Sequence, residues 1–296
     1  MSTQTILGID IGGTKTAYIL VDGTGAIIAR HRHDTTDAAD MVDRIVEYVG
    51  SLDPYPAAIG IGTTGIVDPD TGAIRTASDA IAGWSGFQLR AILETKLGIP
   101  VVVENDVNAF LLGEFSHGGH GTDNLLGVML GTGVGGAVLY NGTLIRGEAG
   151  AAAEIGHMPG FGDLPCTCGG VGHLETRSAG RAIAKRYTKR TGITATTQDV
   201  AQAARAGDEG ACEVLYDAGF QLGKALCMAA TLFDVTTVVI GGGVLGAWDI
   251  LQPACHDALE AYPLVTDKNI TIRHAQVGDD AVALGAIFAA RAAIAS

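Results

Sequence analysis

Apolar and polar positions follow two rhythms along this chain. Residues 5–11 form a short apolar run, Gly12-Gly13 a turn, residues 16–21 a second apolar run and Asp22-Gly23 another turn. The chain therefore opens as an antiparallel meander. Between 38 and 49 the apolar side chains fall at Met41, Val42, Ile45, Val46 and Val49, the i, i+3, i+4 spacing of an amphipathic helix. Residues 57–62 predict a strand, 89–97 a helix and Val101-Val102-Val103 a buried strand. From there strands alternate with helices, which predicts a layered α/β fold whose sheet is antiparallel at its start and parallel later.

The second half repeats this grammar. Residues 125–130 predict a strand, 131–136 a glycine turn, 137–140 a strand and Asn141-Gly142 a hairpin turn. Helices follow over 179–191, 197–206 and 211–233, a strand over 237–240, a helix over 248–261, a strand over 270–274 and a last helix over 281–295. Two glycine-rich hairpins opening two halves suggest two related α/β lobes with a cleft between them.

Composition narrows the partners. Lys and Arg number 19 against 32 Asp and Glu, a formal charge of −13. No basic run exceeds Arg30-His31-Arg32-His33, so neither nucleic acid nor an anionic membrane surface is an expected partner. The least charged long stretch, 225–248, is broken by Asp234 and a glycine triplet, which argues against a membrane span. The start carries no basic and apolar leader pattern. Five cysteines, an odd number, suit a reduced compartment better than a disulfide scaffold, so a cytoplasmic protein is expected. Glycine, at 43 of 296 residues, is about twice its usual share of roughly 7%, and neither repeat nor linker absorbs it. The glycines belong in turns, tight packing and backbone approaches to a ligand.

Three glycine clusters and several acids are the candidates for chemistry. In Ile9-Asp10-Ile11-Gly12-Gly13-Thr14-Lys15 a carboxylate closes a strand and two glycines free backbone N–H groups beside hydroxyls. Such a turn is either an ordinary hairpin or a phosphate cradle with Asp10 holding Mg²⁺ through water. Gly131-Thr132-Gly133-Val134-Gly135-Gly136 contains the dinucleotide fingerprint, but a strand follows where that motif needs a helix. An NAD-linked oxidoreductase thereby loses ground to a second phosphate hairpin with Thr132 as donor. Gly241-Gly242-Gly243 is a strand-to-helix turn, or a place for a nucleotide's base or ribose. Asp106, after Glu104-Asn105, is either a first-turn acid or a cleft carboxylate taking a proton from a substrate hydroxyl. A helix N-terminus lowers such a pKa, so Asp106 is expected to act by position more than by basicity. Glu154, His157 and Glu175 are caps, surface groups or donors and acceptors for sugar hydroxyls. His157, Cys166, Cys168 and His173 offer the two imidazoles and two thiolates of a closed structural Zn²⁺ site.

The ordered set Asp10-Ile11-Gly12-Gly13-Thr14-Lys15, Glu104-Asn105-Asp106, 130–136, Glu154-Ile155-Gly156-His157 and 166–175 resembles the ROK family of sugar kinases and repressors over nearly the whole chain. The resemblance implies an actin-like ATPase (ribonuclease H-like) fold, with two lobes hinged around a cleft. It implies a small lobe of residues 1–114 plus 280–296, into which the last helix returns, and a large lobe of 115–279 with a zinc-binding loop. By resemblance Asp10, Gly12, Gly13, Thr14, Lys15, Thr132 and Gly133 serve ATP phosphates and Mg²⁺, and Gly241, Gly242 and Gly243 the adenosine side. Asp106 matches the catalytic base, Gly65, Asn105, Glu154, His157 and Glu175 the sugar positions, and His157, Cys166 and Cys168 zinc ligands. His173 stands where the family usually has a third Cys, and a Cys₂His₂ site is expected. The family's repressors carry a DNA-binding domain ahead of the first loop, and Asp10 leaves no room for one, which favours a kinase over a sensor or repressor. The implied reaction moves the ATP γ-phosphoryl group to a sugar 6-hydroxyl with lobe closure excluding water, in a homodimer or homotetramer. Gly62-Thr63-Thr64-Gly65 leans toward N-acetylmannosamine over glucose, and polyphosphate stands as an alternative donor.

Overall fold

A computed structural model describes residues 4–295, which separate into two compact units. The first holds the chain through Asp123, Gly142–Ala152 and everything from Ala275 onward, and the second holds Asn124–Asn141 and Ala153–His274.

The first unit begins with β1 (Ile6–Ile11), β2 (Lys15–Val21), β3 (Ile27–Asp34), helix α1 (Ala38–Gly50) and β4 (Ala58–Thr63). Two short strands, β5 (Ile66–Val67) and β6 (Ile74–Thr76), precede α2 (Leu89–Leu97), β7 (Val101–Asn105) and α3 (Asp106–His117). Its sheet runs β3-β2-β1-β4-β7. The first three strands are antiparallel and β1, β4 and β7 parallel, the mixed sheet that the apolar pattern predicts. Leu7, Ile9, Ile11, Ile59 and Ile61 are fully buried in it. On one face lies α1, whose periodic residues Met41, Val42, Ile45 and Val49 are buried. Asp37 caps it, accepting from the amides of Ala39 and Asp40 at 3.0 Å each.

The other face is covered by the last helix, α9 (Ala281–Ala295), in this same unit. It lies so close that a Cβ on Gly60 would stand 1.9 Å from the Ala286 carbonyl oxygen. Only glycine permits that approach. A division after residue 114 would cut α3. The helix stays whole in the first unit because Gly113 packs on the Ala281 backbone and the buried Glu114 carboxylate accepts from the amides of Gln276 and Val277. Residues 142–152, assigned from sequence to the large lobe, also belong here, with Arg146 paired to the buried Glu104.

The second unit repeats the plan with β8 (Leu125–Leu130), β9 (Val134–Tyr140), β11 (Thr237–Gly241) and β12 (Thr271–His274); the two-residue β10 (Thr143–Leu144) intervenes in sequence. β8 is antiparallel to β9 and parallel to β11, which is parallel to β12. Helices α4 (Glu175–Ser178), α5 (Gly180–Thr191), α6 (Thr197–Arg205), α7 (Glu209–Phe233) and α8 (Trp248–Ala261) complete it. A reciprocal capping box of Thr196 and Asp199 starts α6. Among the described residues no helix is long and apolar enough to cross a membrane.

The pattern overlooks β3. Ile27–Asp34 is exposed at six of eight positions, an edge strand held by β2's backbone and by polar side-chain contacts such as Arg30 with Asp280 and His33 with Tyr18, which leaves no apolar signature. The short β5, β6 and α4 escape for want of length.

Candidate active site

In the first unit, β1 delivers Asp10 to the foot of the first hairpin, which the Gly12 amide closes on the Lys15 carbonyl at 3.0 Å. Thr35 braces it by donating to the Gly12 carbonyl at 2.7 Å, while Gly13, Thr14 and Lys15 stand exposed. Burial pushes the Asp10 carboxyl up to about 7. The charge of Asp106 adds to the rise, and Arg32 on β3 opposes it. Strand register explains Arg32's influence: Asp10 pairs with Ala17, which pairs with Arg32.

Asp106 is the first residue of α3, and Asn105 caps that helix by accepting from the amides of Val107 and Asn108 at 2.9 and 3.2 Å. The Asn105 amide group then donates to Asp106 Oδ1 and to the Gly65 carbonyl, both at 3.0 Å. These bonds fix the carboxylate, and Gly65, at φ 100°, holds the backbone turn that offers the carbonyl. Burial raises the Asp106 carboxyl to about 6 against the pull of the Val107 amide and Asn105. Desolvation thus outweighs the helix terminus, correcting the expectation that the helix N-terminus lowers this pKa and leaves a group acting by position more than by basicity.

In the second unit, the hairpin closes from the Gly131 amide to the Gly133 carbonyl at 3.0 Å, and strand β9 follows, which excludes the dinucleotide fold at this motif. Beside it opens a cavity of about 370 Å³, lined by Gly131 and Thr132, by Gly180 and Arg181 of α5, by Thr197 and Gln198 of α6, and by Gly243 and Val244. Of the glycine triplet only Gly243 lines it. Gly241 ends β11, and Gly242, at φ 99°, packs against Leu130. Gly133 rests on Glu175, where an added Cβ would meet a carboxylate oxygen at 2.5 Å.

Glu175, predicted to take a sugar hydroxyl, is buried and already engaged. Its Oε2 accepts from the Val134 amide at 3.3 Å, and its Oε1 from Thr167 at 3.3 Å and from Arg181. Glu154 precedes the turn Ile155–His157. The ligand atoms of His157, Cys166, Cys168 and His173 all lie within 4.8 Å of one another, with Cys168 Sγ 3.3 Å from His173 Nδ1. All four sequence-predicted ligands therefore converge.

Sequence reasoning missed Arg32, Gly180, Arg181, Thr197 and Gln198. Arg32 sits on the overlooked strand, and the others belong to two helix starts whose meeting place is set by the tertiary fold. Arg181 offered one clue, as a basic residue at the head of a predicted helix in an acidic chain.

The sequence model of the ROK family matches residues 6–293. A glucokinase of Halalkalibacterium halodurans is 34% identical, covering 96% of this chain and 94% of its own. An N-acetyl-D-glucosamine kinase of Vibrio cholerae is 32% identical over 95% and 98% of the two chains. Among solved structures, a ROK family glucokinase from Streptomyces griseus in complex with glucose and AMPPNP superimposes with a TM-score of 0.81 at 30% identity, covering 97% and 99%. The fold is that of the actin-like ATPases, and with motifs, sheet plan and full-length similarity in agreement, this chain belongs to the ROK family.

Proposed function

We propose that this chain is an ATP-dependent kinase of a hexose or N-acetylhexosamine, acting on the 6-hydroxyl. The observation that carries the reading is Asp106: a carboxyl fixed by Asn105 and raised to about 6 by burial is a proton acceptor matched to neutral pH. Asp106 takes the hydroxyl proton as the phosphoryl group arrives, and Asn105 holds it in line. The hydroxyl and amides of Thr132's hairpin and the adjoining cavity receive the nucleotide. Gly65, Asn105, Glu154 and His157 are the sugar contacts, with Glu175 bracing the second hairpin as well.

Asp10, a carboxylate oxygen donor, fits a hard divalent cation and would hold Mg²⁺, which would supply charge neutralisation for the transferred group. The Cys₂His₂ cluster, whose ligand atoms lie within 4.8 Å of one another, fits a closed Zn²⁺ shell that would serve a structural role. A cytoplasmic setting is in keeping with the kinase relatives.

The acceptor divides two ways. Thr63-Thr64-Gly65 keeps the lean to N-acetylmannosamine, and the glucokinase relative supports glucose equally. ADP release from Mg-ATP with glucose, mannose, N-acetylglucosamine and N-acetylmannosamine tests both. Sugar-dependent ADP is expected. Sugar binding without ADP from any acceptor would instead identify a sensor of the same fold, and phosphorylation with polyphosphate in place of ATP would reassign the donor.

A further inference from the structure

We infer that Arg181 is a phosphate ligand of the bound nucleotide, aimed by Glu175 and by Thr167 of the metal loop. The inference deepens the kinase reading and rests on it. Among the described residues lining the 370 Å³ cavity, Arg181 is the one that carries charge. In a chain of net charge −13 a polyphosphate needs a local cation to enter such a pocket.

The bonding of the guanidinium makes it a held donor. Its Nη2 donates to Glu175 and, at 2.7 Å, to Thr167 Oγ1. Both bonds use one nitrogen, so Nη1 and Nε keep their donors for a second acceptor, and the fork geometry suits phosphate oxygens. Glu175 engages the guanidinium through Nη2 alone, so the N–H groups of Nη1 and Nε remain to meet a phosphate while the carboxylate keeps its contacts with Val134 and Thr167. The side chain is 42% exposed, open to a ligand from solvent.

Thr167 lies between Cys166 and Cys168, and Glu175 Oε1 is 3.5 Å from Cys166 Sγ. The segment that gathers the four candidate zinc ligands therefore also orients the arginine, so an ordered loop presets nucleotide affinity. Sequence motifs alone assign Arg181 nothing, since the three groups meet only in the folded unit.

Calorimetry with Mg-AMPPNP, ADP and adenosine on wild type, Arg181→Ala, Arg181→Lys and Thr167→Val tests this, with zinc content and melting temperature measured on each. Arg181→Ala should weaken AMPPNP and ADP about tenfold or more and leave adenosine within about twofold. Lys should recover part of the loss, and Thr167→Val should cost about threefold with zinc retained. In turnover, Arg181→Lys should raise the KM for ATP more than it lowers kcat. Unchanged AMPPNP affinity in a folded Arg181→Ala protein, or adenosine losing as much as AMPPNP, would overturn the assignment. A wild type that binds no AMPPNP would instead remove the kinase reading.

Discussion

The two glycine hairpins share one scaffold, a strand, a tight turn and an antiparallel partner, and differ in the acid beneath them. Asp10 under the first has its carboxyl raised to about 7 by burial and by Asp106, which Arg32 only partly offsets. Glu175 under the second is met by Arg181, Thr167 and the Val134 amide. The first turn has an acid short of positive charge, and the second has a cation already installed. On the proposed reading, equivalent backbone would therefore serve opposite electrostatic ends, one turn receiving a metal ion and the other an anion.

The largest break in this comparison is expected from Asp106→Asn. Removing the base should lower kcat by about 10²–10⁴-fold while sugar affinity by calorimetry stays near wild type. Near-normal turnover would strip Asp106 of the role. Next comes the metal loop of the second unit: elemental analysis should find about one zinc per chain, lost in Cys166→Ser together with a lower melting temperature. A metal-free wild type of full stability would refute the site.

Acidity sharpens the first unit's half. With Asp106 as the proposed base, catalysis would need it ionised, so kcat/KM should fall about tenfold per pH unit below about 6. Stability runs the other way. The folded-state value of about 6 exceeds the ordinary 3.8, so below pH 3.8 both states are protonated and nothing is lost. As pH rises through the interval the unfolded chain ionises first and stability declines, by up to about 3 kcal/mol for this group at pH 7. Asp106→Asn should accordingly melt above wild type at pH 7 and match it near pH 4 in scanning calorimetry. An unaltered melting difference across that range would show that the carboxyl is not desolvated.

The smallest effect separates the hairpins themselves. A Cβ on Gly13 would meet the Ala80 methyl at 3.2 Å, whereas one on Gly133 would strike the Glu175 carboxylate at 2.5 Å. Gly133→Ala should cost about 1 kcal/mol in urea unfolding and Gly13→Ala less than half of that. Equal costs would mean that Glu175 yields freely and does not brace the second turn.

Much of this was legible beforehand. The α1 stripe, the strands β1, β4 and β8 and the helices α2, α8 and α9 follow from apolar spacing, because each buries one stripe or a whole strand. Asp10, Asp106 and the Cys-His quartet could be picked out as chemical types in short motifs. The edge strand β3 could not, since it is held by backbone bonds and by polar side chains such as Arg30 and His33, and neither leaves an apolar rhythm. Glu175's engagement with Arg181 could not either, as a carboxylate in a motif does not declare its partner.

The sequence by itself determined the longer apolar elements, the mixed character of the sheet and the chemical types of the motif residues, all properties of local spacing and residue chemistry. Tertiary structure alone decided that burial overrides a helix N-terminus at Asp106, and that the starts of α5 and α6 converge on the second hairpin. Desolvation and convergence depend on what the remainder of the chain packs around a residue. No local window of sequence contains that information.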